Sequence, residues 1–159
     1  MPDTDSTSRD RLAGVLVPVF AIRTENDLGI GDTSGVRQMI DWASQIGMRF
    51  LQFLPINEMG GDNSPYNTIS SVAIEPMTLE TSPSAIPELT IEAFTEATKN
   101  VDLAALRQGS VNYAEIRKLK GDLLWRAFTN FRENDFKQGS EREEAFLRFC
   151  AAQRDWLSD

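Results

Sequence analysis

Five carboxylates lie in or near the loops that follow the apolar segments of this chain, and paired carboxylates could support glycoside chemistry. That chemistry needs one acid with a pKa near neutrality and one nucleophile or base, about 5–9 Å apart. The sequence alone does not set those distances, and we expect solvated or capping roles for most acids of this kind. The five residues are Asp27, Asp32, Glu58, Asp62 and Glu75.

A sharper signal is Ser64-Pro65-Tyr66, in the long loop that follows an apolar segment ending at Leu54. Proline fixes one of its own backbone torsions and biases Ser64 towards an extended conformation, so Tyr66 is held in a defined direction. An aromatic ring with a phenolic tip suits a sugar, through its apolar face and one hydrogen bond. A tyrosine packed beneath the loop fits the residues equally well, and both interpretations stay open.

Several other chemistries are excluded or not expected. The chain has no histidine, which excludes Ser-His-Asp and Cys-His catalysis within it and makes a zinc site improbable. Gly29-Ile30-Gly31 precedes a predicted helix, where a phosphate-binding loop could lie. Such a loop would need a third glycine at the position of Ser34, so we expect a tight turn instead. Cys150 lies in an apolar helical pattern and is expected to be a small buried side chain. We therefore expect no metal and no cofactor.

Two strands and a helix are predicted in the first third of the chain. The apolar runs 15–20 and 50–54 are typical of strands buried on both faces, with Pro18 tolerated near a strand end. Between them, Asp32, Thr33 or Ser34 can cap a helix that ends at Gly47. Strand, helix and strand make a βαβ unit with two parallel strands. The buried face of the helix is expected to contain Val36, Met39, Ile40, Ala43 and Ile46.

The remainder is predicted to be a long loop followed by helices. Residues 57–88 are rich in turn formers, with a short strand expected at 71–74. Thr90 is predicted to cap a short helix, and residues 113–131 carry an apolar stripe. Ser140 with Glu143 matches a capping box for a last helix, which is expected to pack antiparallel to the one before it. In the short helix, the side chains expected to point inward are Ile91, Phe94 and Ala97.

Composition limits the classes of partner. The 159 residues carry a formal net charge of −8, with a sequence pI near 4.6, which argues against binding nucleic acid or an anionic membrane surface. Residues 1–10 are polar and lack the apolar region of a secretory signal, so a disordered tail is expected there. A single cysteine fits a reducing compartment, and the expected localisation is cytoplasmic.

An ordered set of motifs resembles the amino-terminal part of the 4-α-glucanotransferases, also called amylomaltases or disproportionating enzymes. The resemblance extends from Arg11 onward and is most specific up to Pro76. Leu51 and Ile74-Glu75 depart from the family pattern, which leaves the role of Glu75 open. The matching segments are 11–20, 28–32, 52–58, Ser64-Pro65-Tyr66, Ser70-Ser71-Val72-Ala73, Pro76, Val111-Asn112-Tyr113 and Lys118.

The resemblance implies an α/β fold that opens a TIM-type (β/α)8 barrel, with two parallel strands and a crossover helix, followed by a mostly helical insertion. Residues 11–89 would form the first βαβ unit of the barrel with its long substrate loop, and residues 90–159 the helical insertion subdomain. The chain supplies too few strands for an independent sheet, so we expect it to represent the opening portion of a longer enzyme.

The resemblance also implies transfer of α-1,4-glucan segments between maltodextrins by a retaining double displacement, with an Asp nucleophile and a Glu acid/base. Those carboxylates come from later barrel strands, so no catalytic residue is expected in this chain, which alone should be inactive. Ser64 and Tyr66 resemble residues lining the glucan cleft and are the predicted substrate-binding residues. The expected partner is an α-1,4-glucan such as maltodextrin, starch or glycogen. The oligomeric state is left open. Two alternatives also stay open: a non-catalytic α-glucan-binding module and a helical interaction protein.

Overall fold

The computed structural model describes residues 12–137 and 139–157. The predicted disordered tail at residues 1–10 lies outside the described residues. None of the helices in the described ranges is long and apolar enough to cross a membrane.

The predicted βαβ unit is present in the first third of the chain. Strand β1 is Gly14–Leu16, helix α1 is Thr33–Gln45 and strand β2 is Phe50–Gln52. The strands pair in parallel, with Gly14 opposite Phe50 and Leu16 opposite Gln52. Helix α1 is thus the crossover connection between two parallel strands, as expected from the sequence.

Both strands are shorter than the apolar runs predicted. The first run continues as a 3-10 helix at Val19–Ala21, after Pro18 in an extended conformation with ψ of 140°. The last ladder bond that β1 makes is from the Val17 amide to the Gln52 carbonyl, 2.9 Å. Proline has no amide hydrogen to extend the ladder, so the chain turns at Pro18 instead. The prediction of strand through Phe20 was therefore wrong at its carboxyl end.

The Gly29-Ile30-Gly31 segment forms the tight turn expected of it. Gly29 has a φ of +97°, in the region that favours glycine. The Gly31 amide donates to the Phe20 carbonyl at 3.0 Å. A Cβ at Gly31 would lie 2.1 Å from the Val19 carbonyl oxygen, so glycine is needed for this close approach. Ile30, between the two glycines, is fully buried.

Helix α1 begins and ends as predicted but buries less than predicted. The Asp32 side chain accepts hydrogen bonds from the Ser34 and Gly35 amides, and Gly47 has a φ of +79°. Ala43 is buried, but Ile40 and Ile46 are each 51% exposed. Ile40, Ala43 and Phe50 line an open cleft of about 350 Å³ beside β2. The predicted apolar face exists, but in the described structure it is only half covered.

Among residues 12–137 and 139–157, five α-helices follow the long loop. They are α2 at Ile91–Thr98, α3 at Leu103–Leu106, α4 at Tyr113–Asn130, α5 at Glu141–Ala152 and α6 at Arg154–Leu157. A single π-helical turn, Phe131–Asp135, continues α4. Helix α4 runs through Gly121 without a break.

The main core joins the βαβ unit to the helices. Leu119, Leu123 and Ala127 of α4 pack with Leu28 and Leu89 from the first half of the chain. Phe94 and Ala97 of α2 pack against this cluster, but Ile91 is 70% exposed in the first turn, so its predicted inward position was wrong. The core therefore contains residues from both sides of the domain boundary expected near residue 90.

Helix α5 contacts the π-helical turn that continues α4 through aromatic side chains. Phe131, Phe136 and Phe146 contact one another with ring centroids 5.5–6.0 Å apart. The Ser140 side chain caps α5 as predicted, accepting from the Glu143 amide at 3.0 Å. The Glu143 carboxylate accepts from the Gly139 amide, one residue before the position that a capping box uses. An apolar cleft of about 410 Å³ remains between the end of α4 and α5, and antiparallel packing of these two helices stays a prediction.

Candidate functional site

The segment that follows β2 leads to an ordered loop at residues 60–67, here called the Tyr66 loop. Pro55, directly after the strand region, lines a cavity of about 20 Å³ together with Pro18 and Pro65. Pro18 follows β1, so this small cavity lies at the carboxyl ends of both parallel strands. Pro65 therefore lies close to the edge of the sheet where α/β proteins place their ligands.

Antiparallel pairing brings the two ends of the loop together. Met59 bridges Thr68, and the Gly60 amide donates to the Asn67 carbonyl at 2.8 Å. On its other side the same segment pairs with the chain at Ile74, which bridges Asn57. The strand predicted at 71–74 is thus reduced to one bridge at Ile74. The loop is the tip of a short hairpin, which explains its defined shape.

Asp62 holds the interior of the loop. Its carboxylate accepts from the Ser64 amide at 3.1 Å and from the Asn67 side-chain amide at 3.0 Å. These two donors, Asn67 foremost, lower the pKa of Asp62 from its ordinary value of 3.8. An aspartate followed two residues later by a bonded amide is an Asx turn. Asp62 is therefore a structural carboxylate of the loop.

Tyr66 projects from this loop into solvent, with 73% of the residue exposed. Its amide donates to the Ser64 hydroxyl oxygen at 3.3 Å, so the two predicted site residues are neighbours in the structure. The Ser64 hydroxyl accepts this bond and keeps its own proton for another acceptor. The exposure of Tyr66 removes the alternative of a tyrosine packed beneath the loop. The ring is displayed on an ordered base.

Three of the five candidate carboxylates are buried and bonded to backbone amides. Asp32 caps α1, and Glu75 accepts from the Met59 amide at 2.9 Å and the Met77 amide at 3.3 Å. Asp27 accepts from the Thr24 and Gly29 amides, each at 2.8 Å. These hydrogen bonds give all three carboxylates a structural role. Glu58 is half-buried and lines a separate cleft of about 340 Å³ with Arg117 and Lys120.

Asp27 is also paired with Arg23 through two hydrogen bonds of 2.9 and 3.0 Å. Burial acts to raise the pKa of Asp27, but the Arg23 guanidinium and the two backbone amides outweigh it, so the pKa lies below 3.8. The carboxylate is thus held ionised. Such a group is unsuited to act as a general acid near neutral pH.

A buried lysine, which sequence reasoning missed, supports this part of the fold. Lys120 of α4 is 1% exposed and donates to the carbonyls of Met77 and Leu79 at 2.8 and 2.7 Å. Its ammonium also lies 3.6 Å from the Asp32 carboxylate. The signal was present in the sequence, since Lys120 comes four residues after Ile116 and three before Leu123, on the buried face.

A second contact from α4 reaches the Tyr66 loop directly. The Arg117 guanidinium donates to the side-chain oxygen of Asn63 at 2.8 Å. Asn63 has a φ of +57°, the only positive φ among the described residues other than glycines. Asparagine tolerates this conformation better than most residues. A contact between positions 54 residues apart has no local sequence signal, and it too was missed.

Comparisons of the sequence with known proteins identify similar families and relatives. The family model described as 4-alpha-glucanotransferase matches residues 17–159. A 4-alpha-glucanotransferase of Chlamydia caviae is 32% identical over 144 residues, covering 91% of this chain and 26% of that protein. One from Chlamydia muridarum is 37% identical over 148 residues, again covering 91% and 26%.

Among solved structures, the amylomaltase from Streptococcus agalactiae in complex with acarbose has a similar fold. The TM-score is 0.67 at 24% sequence identity, covering 92% of this chain and 28% of that one. At this identity the likeness concerns the fold. The chain spans about a quarter of the length of the curated relatives it matches.

Proposed function

This chain belongs to the 4-alpha-glucanotransferase family, and we propose that it is the amino-terminal part of a transferase acting on α-1,4-glucans. The reaction moves glucan segments between maltodextrins by a retaining double displacement, the mechanism that its motifs implied. The observation that carries the proposal is the exposed Tyr66 on an ordered loop at the carboxyl ends of the strands.

In this proposal the βαβ unit of residues 11–89 opens a TIM-type (β/α)8 barrel, and residues 90–159 form a helical insertion that packs on it. Two observations support the barrel. The strands are parallel with a crossover helix, and β2 flanks a half-covered apolar cleft of about 350 Å³. Parallel strands are normally covered on both faces, so further strands and helices have a surface to occupy.

Tyr66 and Ser64 form one wall of the glucan cleft. The ring presents an apolar face to a glucose unit, and the Ser64 hydroxyl donates to a sugar oxygen while accepting the Tyr66 amide. The ligand of the S. agalactiae structure, acarbose, is a suitable second probe of this wall. The nucleophile and the acid/base lie outside residues 1–159. This placement is supported by the carboxylates of Asp27, Asp32 and Glu75, which accept hydrogen bonds from backbone amides and so have structural roles.

Binding of maltoheptaose to the 159-residue chain, measured by calorimetric titration, tests the role of Tyr66. Covering roughly 60 Å² of ring at about 25 cal/mol per Å² is worth about 1.5 kcal/mol, so Tyr66→Ala should weaken binding about tenfold. Tyr66→Phe removes only the phenolic hydroxyl and should weaken binding by about threefold. The matched control is Ile91→Ala, which truncates a side chain equally exposed at 70% but on α2. Equal affinities for Tyr66→Ala and the control would refute the proposed contact.

Incubation with maltotriose and chromatography of the products tests where the catalytic groups lie. The chain alone should yield neither glucose nor longer maltodextrins, because in this proposal the nucleophile and the acid/base lie outside it. Formation of both products would show that a catalytic pair is present and would overturn this part of the proposal. Binding that depends on Tyr66, without transfer, is also the behaviour of a non-catalytic glucan-binding module. Activity of the longer protein, tested in the same assay, separates these two functions.

A further inference from the structure

Helix α4 contacts the proposed substrate loop from a part of the chain more than 40 residues away. Arg117 reaches Asn63 at 2.8 Å, and Lys120, three residues later in the same helix, reaches Met77 at 2.8 Å. Residues three apart on a helix share a face, so both side chains point to the same region. This face of α4 therefore supports both the tip and the base of the Tyr66 loop.

The path from Lys120 to the loop base passes through Glu75. Lys120 fixes the Met77 carbonyl, and Glu75 accepts from the Met77 amide and from the Met59 amide. Met59 precedes the loop directly and bridges Thr68 on its far side. Because Met59, Glu75, Met77 and Lys120 are all buried, this base is part of the core.

At the tip of the loop, Arg117 makes a side-chain hydrogen bond from α4 to the residue with the unusual backbone conformation. Asn63 is the non-glycine residue with a φ of +57°, a conformation that costs free energy unless its surroundings support it. Its amide makes only a long bond of 3.4 Å to the Gly60 carbonyl, whereas Arg117 holds its side chain at 2.8 Å. Tyr66 lies three residues beyond Asn63, inside the same closed hairpin tip.

From these contacts we infer that Arg117 is a positioning residue, which sets the conformation of the Tyr66 loop and through it the affinity for glucan. Only the effect on glucan affinity rests on the proposed function, whereas the effect on loop conformation does not. Arg117 does not touch the substrate in this arrangement. It acts by holding Asn63 in its left-handed conformation, and so keeps Tyr66 in the orientation that the cleft needs.

The first test measures amide hydrogen exchange by NMR in the free chain, with no glucan present. Arg117→Gln should speed exchange by about three- to tenfold at two amides: Gly60, which closes the loop on the Asn67 carbonyl, and Asn67, which donates to the Ser64 carbonyl within it. Core amides such as that of Leu123 should keep their wild-type rates, which separates a local effect from general destabilisation. The control is Arg126→Gln, which removes another arginine of α4, paired with Asp122 at 2.8 Å. Exchange at Gly60 and Asn67 equal to that in the control would overturn the inference.

Variants of Asn63 make the test specific to this contact. Asn63→Gly keeps the positive φ but removes the acceptor, so it should speed loop exchange as Arg117→Gln does. The two changes combined should have no larger effect than either alone, since both remove the same bond. Asn63→Asp keeps an acceptor and adds a charge facing Arg117, so loop protection should be retained. Additive effects of the two changes would contradict the inference.

Titration with maltoheptaose completes the test. Arg117→Gln should weaken binding about three- to tenfold in the presence of Tyr66, and by less than twofold in a Tyr66→Ala background. If the wild-type chain binds no glucan, the proposed function fails, and the exchange data alone decide whether Arg117 orders the loop. If glucan binds and Arg117→Gln matches Arg126→Gln in affinity, the positioning role fails while the proposed function stands.

Discussion

Replacing Lys120 with methionine should destabilise the fold by about 1–3 kcal/mol. The change leaves the buried Met77 carbonyl without its donor, at a cost of about 1–3 kcal/mol, whereas the Leu79 carbonyl keeps the Thr81 hydroxyl at 3.1 Å and loses only one of two bonds. Methionine fills a similar volume, and because the methylenes of Lys120 are already buried, the added apolar burial offsets only about 1 kcal/mol of that loss. The Asp32 carboxylate, 3.6 Å away, also loses its nearest cation. The balance is therefore destabilising but smaller than the sum of the lost bonds.

Urea denaturation followed by circular dichroism measures this difference directly. The matched control is Lys118→Met, an exposed lysine of the same helix, which should change the unfolding free energy by about 0.5 kcal/mol or less. A Lys120→Met protein as stable as this control would show that desolvation of the ammonium cancels its hydrogen bonds. That result would refute the view that Lys120 stabilises the base of the Tyr66 loop.

Alkaline pH provides a second measure on the same pair of proteins. Burial lowers the pKa of Lys120 below its ordinary value of 10.5, although Asp32 opposes the shift. The unfolded chain then binds this proton more tightly than the folded chain does. The stability of the wild type relative to Lys120→Met should therefore rise with pH, between the folded pKa and 10.5. A fall over that range would contradict the assigned direction of the shift.

Three further changes have expected effects on stability. Gly31→Ala places a Cβ 2.1 Å from the Val19 carbonyl oxygen, so the turn must shift, and a loss of about 3 kcal/mol or more is expected in urea denaturation. Leu123→Ala empties part of the main core at a fully buried position and should lower the unfolding free energy by about 2–5 kcal/mol. Asp27→Asn removes the ion pair with Arg23 and should destabilise at neutral pH. Because the pKa of Asp27 is lower in the folded chain, the stabilisation by its carboxylate is fully present above pH 3.8. This stabilisation is lost as the pH falls through the pKa of the folded state. Wild type and variant should therefore have similar melting temperatures in acid.

Matched controls exist in the chain for each of these changes. Gly121→Ala adds a Cβ in open space within α4 and should stabilise by up to about 1 kcal/mol. Leu147 is 51% exposed, so Leu147→Ala should have little effect. Asp122→Asn alters an exposed ion pair with Arg126, worth about 0–1 kcal/mol. A variant that behaves like its control would contradict the structural reason given for it.

Local signals in the sequence predicted the elements well where side chains bond to nearby backbone. Asp32, Thr90 and Ser140 were each identified as possible caps, and each accepts a bond from an amide two or three residues on. The parallel βαβ unit followed from apolar runs of suitable length and spacing. Such features depend on neighbours in the chain, which a sequence displays directly.

Features that depend on distant residues were not predicted. Pro18 was expected to be tolerated near a strand end, but a 3-10 turn follows it, whose Phe20 carbonyl accepts from the distant Gly31 amide. Ile91 lies on the apolar stripe of α2, yet the core ends before it. Of the site, Ser64 and Tyr66 were identified from local chemistry, whereas Arg117 and Lys120 act across 41 to 54 residues of chain. Their partners are backbone carbonyls and an amide side chain, which carry no distinctive residue pattern.

The closed hairpin tip has a thermodynamic consequence for ligand binding. Ordering a flexible backbone costs about 1–2 kcal/mol per residue, so a loose loop of this length would consume much of the free energy of a glucan contact. Here the bonds from Asp62 to Ser64 and Asn67 are already made in the free chain. The entropy is lost on folding, at the expense of stability, and association with a sugar then needs little further ordering of the backbone. Binding through Tyr66 should accordingly show a small entropic penalty from the protein.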